Sequence, residues 1–275
     1  MNRKARILLF FLLLIAGPAL GQRGAADTVA KPFVLGTVRT VWSPVLQETR
    51  TLNIYLPPSF SKDSAYPVIY LLDGSADEDF IHTAGIIQFL TMLGLMPETV
   101  LVGIANVDRR RDFTFPTTVA ADKKDFPTTG GSARFINALA RDLKPFIEKS
   151  YRIKGRGAIV GQSLGGLLAA EILLKNPGMF DDYIIVSPSL WWDKESLLRT
   201  KETIPSGTMP PRTWIAVGKE GAQMEADAKS LAALISRHAP DTMRHFFVPM
   251  PQEDHLTILH NSLYRAFRTL YPKGD

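Results

Sequence analysis

Six short apolar runs constrain this chain more than any other feature. They fall at 67–72, 99–105, 158–162, 183–187, 213–217 and 245–248, each too short for an ordinary helix. Runs of that length, rich in valine and isoleucine, read as strands with both faces covered. Between them lie segments with helical spacing. The segment 80–95 is one. The segment 132–149 places Phe135, Leu139, Leu143, Phe146 and Ile147 on one stripe, and 225–238 turns Leu231, Leu234 and Ile235 inward. A last helix over 256–270 has the stripe Leu256, Leu259, Leu263, Phe267 and Leu270. Ahead of all of these, 38–42 and 52–56 read as an antiparallel hairpin, with turn chemistry at Ser43-Pro44 and Glu48-Thr49. Strands alternating with helices behind a hairpin predict one α/β fold, a three-layer sandwich around a mostly parallel sheet. The 275 residues, 45% of them apolar, suffice for a single sizeable core, and no internal repeat or linker divides them.

The first 21 residues are of another kind. Arg3, Lys4 and Arg6 precede an apolar run over 7–15, and Ala19-Leu20-Gly21 places small residues where a leader is cleaved. This layout predicts a signal peptide at 1–21, a flexible lead-in at 22–32 and the folded domain at 33–275. The apolar run is well short of the roughly 20 residues a membrane span needs, so no stable membrane insertion is expected after cleavage. Removing the leader takes away three cations and no acid, and the formal charge drops from +5 to +2. Nothing in that balance implies a nucleic-acid partner. Cysteine is absent, which excludes disulfides, thiolate nucleophiles and cysteine metal sites. A periplasmic or secreted location follows from the leader; the oligomeric state is not legible.

The run at 158–162 stops in Gly161-Gln162-Ser163-Leu164-Gly165-Gly166, after which helical spacing continues to Lys175. A strand that turns abruptly into a helix, with a serine at the turn between small neighbours, is the pattern of a nucleophile elbow. Its serine needs a general base, most often histidine. Of five histidines, His82, His238, His245 and His260 fall within or at the ends of regular elements, where structural roles are expected. His255 follows the last strand and precedes the last helix, the place from which such folds supply a base. The acid that orients it belongs between serine and histidine in chain order. Glu220, just past the strand at 213–217, is the first choice. Asp193 is the alternative, Glu253 and Asp254 stand too close to His255, and a dyad without an acid is left open. An oxyanion hole would draw on the Leu164 N–H and on Gly74 or Ser75 N–H after the strand at 67–72. The stretch 106–131, long and rich in charge and proline, reads as a loop whose Arg109-Arg110-Arg111-Asp112 run is either solvated or turned toward a substrate.

From about Val38 to Leu270 the chain resembles the esterase-D-like branch of α/β-hydrolases. The segments that carry the likeness are Tyr70-Leu71-Leu72-Asp73-Gly74, residues 106–112, residues 161–166, Ser187-Pro188-Ser189-Leu190-Trp191-Trp192 and Glu253-Asp254-His255. The arginine segment and the Ser-Pro-Ser-x-Trp-Trp segment most resemble the enterobactin, salmochelin and bacillibactin esterase subgroup. The resemblance implies Ser163 as nucleophile, His255 as base, and Arg109 or Arg111 as an anchor for an anionic ligand. Many relatives have aspartate where Glu220 stands, and no counterpart of the additional N-terminal domain of cytoplasmic enterobactin esterases is expected in residues 1–275. The expected activity is that of a serine ester hydrolase on a small-molecule ester, without metal or organic cofactor, with Trp191 and Trp192 as an aromatic wall. Acyl transfer on the same fold, or ligand binding without catalysis, are the alternatives.

Overall fold

The computed structural model describes residues 30–199, 211–238 and 242–272. The expected leader, and the lead-in up to residue 29, lie outside the described residues. From Leu35 onward the chain is one compact unit built on an eight-stranded sheet. The strands are β1 (Thr37–Ser43), β2 (Glu48–Tyr55), β3 (Val68–Leu71), β4 (Val100–Ile104), β5 (Ala158–Gln162), β6 (Asp182–Val186), β7 (Arg212–Gly218) and β8 (His245–Met250). Their order is β1-β2-β4-β3-β5-β6-β7-β8. The first two pair antiparallel, β2 joins β4 antiparallel, and every later pairing is parallel. The hairpin thus extends one edge of a parallel sheet, as the sequence pattern predicts.

Helices cover both faces. They are α1 (Phe80–Met92), α2 (Arg109–Phe113), α3 (Ala120–Asp125), α4 (Ser132–Ala138), α5 (Lys144–Ser150), α6 (Leu164–Lys175), a short α7 (Trp192–Glu195), α8 (Ala222–His238) and α9 (Ile258–Leu270). Side chains alternate along each strand, so the sheet feeds two separate cores. Val68, Tyr70, Ile159, Ile185 and Ile215 pack toward Phe135, Leu167 and Leu231 of α4, α6 and α8. Ile69, Leu71, Val160, Ile184 and Ala216 pack toward Ile87 of α1 and Leu263 and Phe267 of α9. Among the described residues no helix is long and apolar enough to cross a membrane.

Three local expectations are corrected. The helix expected over 132–149 is two helices, α4 and α5, joined by a π turn at Leu139–Leu143. Pro145 lacks an N–H, and its ring would meet the carbonyl of Arg141 in a regular helix; a wider turn relieves both problems. The stretch 106–131 is not plain loop, since it contains α2 and α3. A buried ion pair draws it onto the sheet: Arg50 Nη1 lies 2.7 Å from Asp112 Oδ2, with the Arg50 guanidinium over the Phe135 ring. Finally, Leu256 is not part of the α9 stripe. It precedes the helix and is 91% exposed.

Candidate active site

In the parallel part of the sheet the strands end on one edge, where ligands of open α/β folds collect. The residues that follow β3, β5, β6, β7 and β8 are Asp73-Gly74-Ser75, Ser163, Ser187-Pro188-Ser189, Lys219-Glu220 and, farther on, His255. Ser163 has φ 58° and ψ −119°, strained angles for a residue with a side chain. The two flanking glycines are not equivalent. A Cβ on Gly161 would stand 2.2 Å from Gly165 O, whereas one on Gly165 would meet Asp73 Oδ2 at 3.3 Å and Leu72 Cβ at 3.4 Å. Gly161→Ala is therefore expected to destabilise the fold by about 3 kcal/mol or more, through a backbone clash that cannot relax. Gly165→Ala should cost about 1 kcal/mol or less. Urea unfolding of the two variants checks the contrast.

His255 Nδ1 is 2.5 Å from Glu220 Oε2; the carboxylate side chain is 3% exposed and the imidazole 41%. Glu220 Oε1 in turn accepts from Ser187 Oγ and, at 2.9 Å, from Gly218 N–H. Burial pushes the Glu220 carboxyl up, but the hydrogen bonds from His255, Ser187 and Gly218 outweigh it, and the group lies below the usual glutamate range. Gln162 Nε2 donates to the His255 carbonyl at 2.5 Å, tying the histidine loop to the elbow. Ser163, Ser189, Trp191, Glu220, Met224, Asp254, His255 and Leu256 line one cleft of about 430 Å³. The expected nucleophile, base and acid are thus brought to one place. His82 and His260 face each other across α1 and α9, and His245 pairs with Ser236 Oγ at 2.7 Å.

Leu164 opens α6, so its N–H has no acceptor within the helix and is available beside Ser163. Gly74 is not available in the same way. Its N–H donates to Ile104 O at 3.0 Å, and its lack of a side chain lets it approach Gly103, where a Cβ would stand 2.3 Å from the Gly103 Cα. Ser75 N–H donates to Glu78 Oε2 at 3.3 Å, a long contact that a stronger acceptor could replace. Of the two N–H groups, Gly74 is held by a backbone carbonyl and Ser75 by a side chain that can move.

Asp193, the alternative acid, is engaged elsewhere. Its Oδ1 accepts from Thr118 N–H at 2.6 Å and Thr118 Oγ1 at 2.7 Å, pinning the segment before α3 to the loop after β6. Burial raises its pKa, but these bonds and those from Ser196 and Thr117 dominate and hold it at about 2. A carboxylate that ionises more easily in the folded chain contributes stability above its unfolded pKa and loses it as pH falls through the folded value. Asp193→Asn should therefore cost about 2 kcal/mol at pH 7. The gap to the parent protein should close between pH ~4 and ~2, as measured by urea unfolding across that range.

Trp191 lines the cleft, while Trp192 is buried in the core with its Nε1–H on Phe115 O at 2.9 Å. The expected two-tryptophan wall is one tryptophan, because the short α7 turns the second ring inward. Both arginines proposed as anchors are committed to carboxylates. Arg109 pairs with Asp73 through Nε at 2.6 Å and Nη2 at 2.8 Å, and Arg111 pairs with Glu48 and Asp112. Asp73 has φ 53°, and its pairing with Arg109 and Asn106 braces the loop that carries Ser75. Sequence reasoning assigned no role to Gln162, Ser187, Ser189 or Gly218. Ser187 and Ser189 belong to the Ser-Pro-Ser-x-Trp-Trp segment, which signals no role for either, and Gly218 ends a strand where a Cβ would meet Glu220 Oε1 at 2.9 Å. Among the described residues no group of three or more His, Asp or Glu could hold a metal ion.

The family model described as "Putative esterase" matches residues 43–242. The ferri-bacillibactin esterase BesA of Bacillus subtilis is 32% identical over 253 residues, covering 82% of this chain and 87% of that protein. Among solved structures, the BES protein of Bacillus cereus superposes with a TM-score of 0.79 at 26% identity, covering 89% of this chain and 99% of that one. An IroE-like serine hydrolase of Shewanella oneidensis gives 0.76 at 28% identity, with 86% and 80% covered. The family match spans β2 to β7 and includes Ser163 and Glu220, and the chain is a carboxylic-ester hydrolase belonging to the "Putative esterase" family.

Proposed function

We propose that the chain is an exported serine hydrolase that cleaves a small-molecule carboxylic ester through an acyl-enzyme, with Ser163 as nucleophile, His255 as base and Glu220 as the orienting acid. The observation that carries the reading is the 2.5 Å contact of His255 Nδ1 with the buried Glu220 carboxylate. That contact keeps the proton on Nδ1 and leaves the Nε2 lone pair as the base. Nε2 takes the proton of Ser163 Oγ as that oxygen attacks the ester carbonyl. The oxyanion that forms is met by the N–H groups of Leu164 and Ser75. Collapse breaks the ester bond, the alcohol leaves with the proton from Nε2, and water then repeats the cycle on the acyl-enzyme.

The relatives named as siderophore esterases favour a siderophore-like ester as the natural substrate. The charged and apolar opening of the chain favours export to the periplasm or beyond. The mature protein is expected to hydrolyse short p-nitrophenyl esters and to be labelled at Ser163 by a fluorophosphonate. Folded protein that is not labelled would refute the mechanism. A panel of trilactone siderophores, feruloyl esters and acetylated sugars tests the substrate; the trilactone should give the highest kcat/KM.

A further inference from the structure

Ser187, Pro188 and Ser189 leave β6 and pass directly over the elbow. Ser163 N–H donates to Val186 O at 3.1 Å, and Ser189 N–H donates to Ser163 O at 3.0 Å, so the tripeptide is stitched to the nucleophile's backbone on both sides. Between those bonds Pro188 lies so near the elbow that a Cβ on Gly166 would come within 3.0 Å of its Cα. The two serine side chains then reach different members of the site. Ser187 Oγ donates to Glu220 Oε1, and Ser189 Oγ lies 3.3 Å from Ser163 Oγ. Both serines are buried, and Ser187 has φ 44°, a conformation costly for any residue other than glycine. A residue that only turned the chain here would more easily be glycine. The hydroxyl offsets the strain by holding the acid.

We propose that Ser187-Pro188-Ser189 is a two-ended positioning device that fixes the acid at one end and the nucleophile at the other. The proposal rests on the assignment of Ser163, His255 and Glu220. At the acid end, Ser187 and Gly218 N–H occupy Oε1, so that Oε2 alone faces His255 Nδ1. At the nucleophile end, the Ser189 hydroxyl donates into a lone pair of Ser163 Oγ. The proton of Ser163 is left to His255 Nε2, and no proton passes through Ser189.

The two ends have different readouts. For Ser189→Ala, the fluorophosphonate labelling rate and kcat for p-nitrophenyl butyrate should fall together by about tenfold, with KM and Tm unchanged, the size expected for one lost hydrogen bond to a reacting atom. Ser189→Thr keeps the hydroxyl and should recover to within about threefold of the parent. Ser189→Cys keeps the volume with a weaker donor, should fall between, and serves if the alanine variant does not fold. For Ser187→Ala, the acidic limb of the kcat/KM profile should move to higher pH, because a carboxylate with one donor fewer turns more of its charge on the imidazolium. Ser189→Ala should leave that limb in place. Labelling of Ser189→Ala at the parent rate or faster would overturn the proposal, as would an unmoved limb in Ser187→Ala. If the parent itself is not labelled at Ser163, the assignment of the nucleophile fails and this proposal falls with it.

Discussion

The Ser163→Ala protein is expected to fold as the parent does and to lose ester hydrolysis by on the order of 10⁶-fold in kcat. The side chain projects from a strained turn whose shape is set by Gly161, by the start of α6 and by the bonds of the turn to Val186 and Ser189. Removing Oγ therefore leaves the backbone in place. What disappears is the atom that would form the acyl-enzyme, and the neighbouring hydroxyls are poor substitutes: Ser187 is buried on Glu220, and Ser189, though it reaches the cleft, does not stand on the strained turn that presents Ser163. Residual hydrolysis would come from oriented binding and from the Leu164 and Ser75 N–H groups alone, about 10³-fold over the uncatalysed rate. Initial rates on p-nitrophenyl butyrate, with a circular dichroism melt on the same sample, check both halves of the expectation. A variant that melts like the parent and retains a tenth of its kcat would move the chemistry away from Ser163.

Glu220→Gln should lower kcat by about 10³- to 10⁴-fold with little change in KM. The reason is the tautomer. In the parent, Oε1 accepts two hydrogen bonds and Oε2 faces His255 Nδ1. A glutamine can satisfy Ser187 and Gly218 only with its oxygen, which turns its NH₂ toward Nδ1. The imidazole must then carry its proton on Nε2, and the base toward Ser163 is lost. Asp193→Asn, by contrast, should keep kcat within about threefold, because the Asp193 carboxylate is held by Thr117 and Thr118. Steady-state kinetics of the two amides at pH 7.5 separate the two acids. A larger loss of kcat in Asp193→Asn would overturn the assignment of Glu220.

Much of this arrangement is legible in the sequence, for physical reasons. A strand covered on both faces can hardly be anything but a short apolar run, so each of the six runs lies over a strand of the sheet. The elbow is legible because it is local: one strand, one turn, one helix, with Gly161 required where the backbone crosses itself. His255 is legible by chain order. What lies outside those local rules is not legible where side chains choose between partners. Trp191 and Trp192 are equivalent as letters, yet one lines the cleft and the other fills the core. Leu256 fits the periodicity of α9 and stands in solvent, because the helix begins two residues later. Gly74 and Ser75 are adjacent in the chain, yet only the structure shows that the Gly74 N–H is taken by Ile104 O on β4.

The sequence by itself determined the layered α/β architecture, the turn that presents Ser163 and the loop that supplies His255, because each depends on periodicity, small residues and chain order within a few tens of residues. The tertiary structure alone decided the partners. Glu220 rather than Asp193 meets the imidazole, Arg109 and Arg111 are spent on carboxylates, and two serines with no role in the sequence pattern touch the acid and the nucleophile. Such pairings join residues up to 63 positions apart in the chain. A hydrogen bond depends on tenths of an ångström, and only the packed sheet sets distances on that scale.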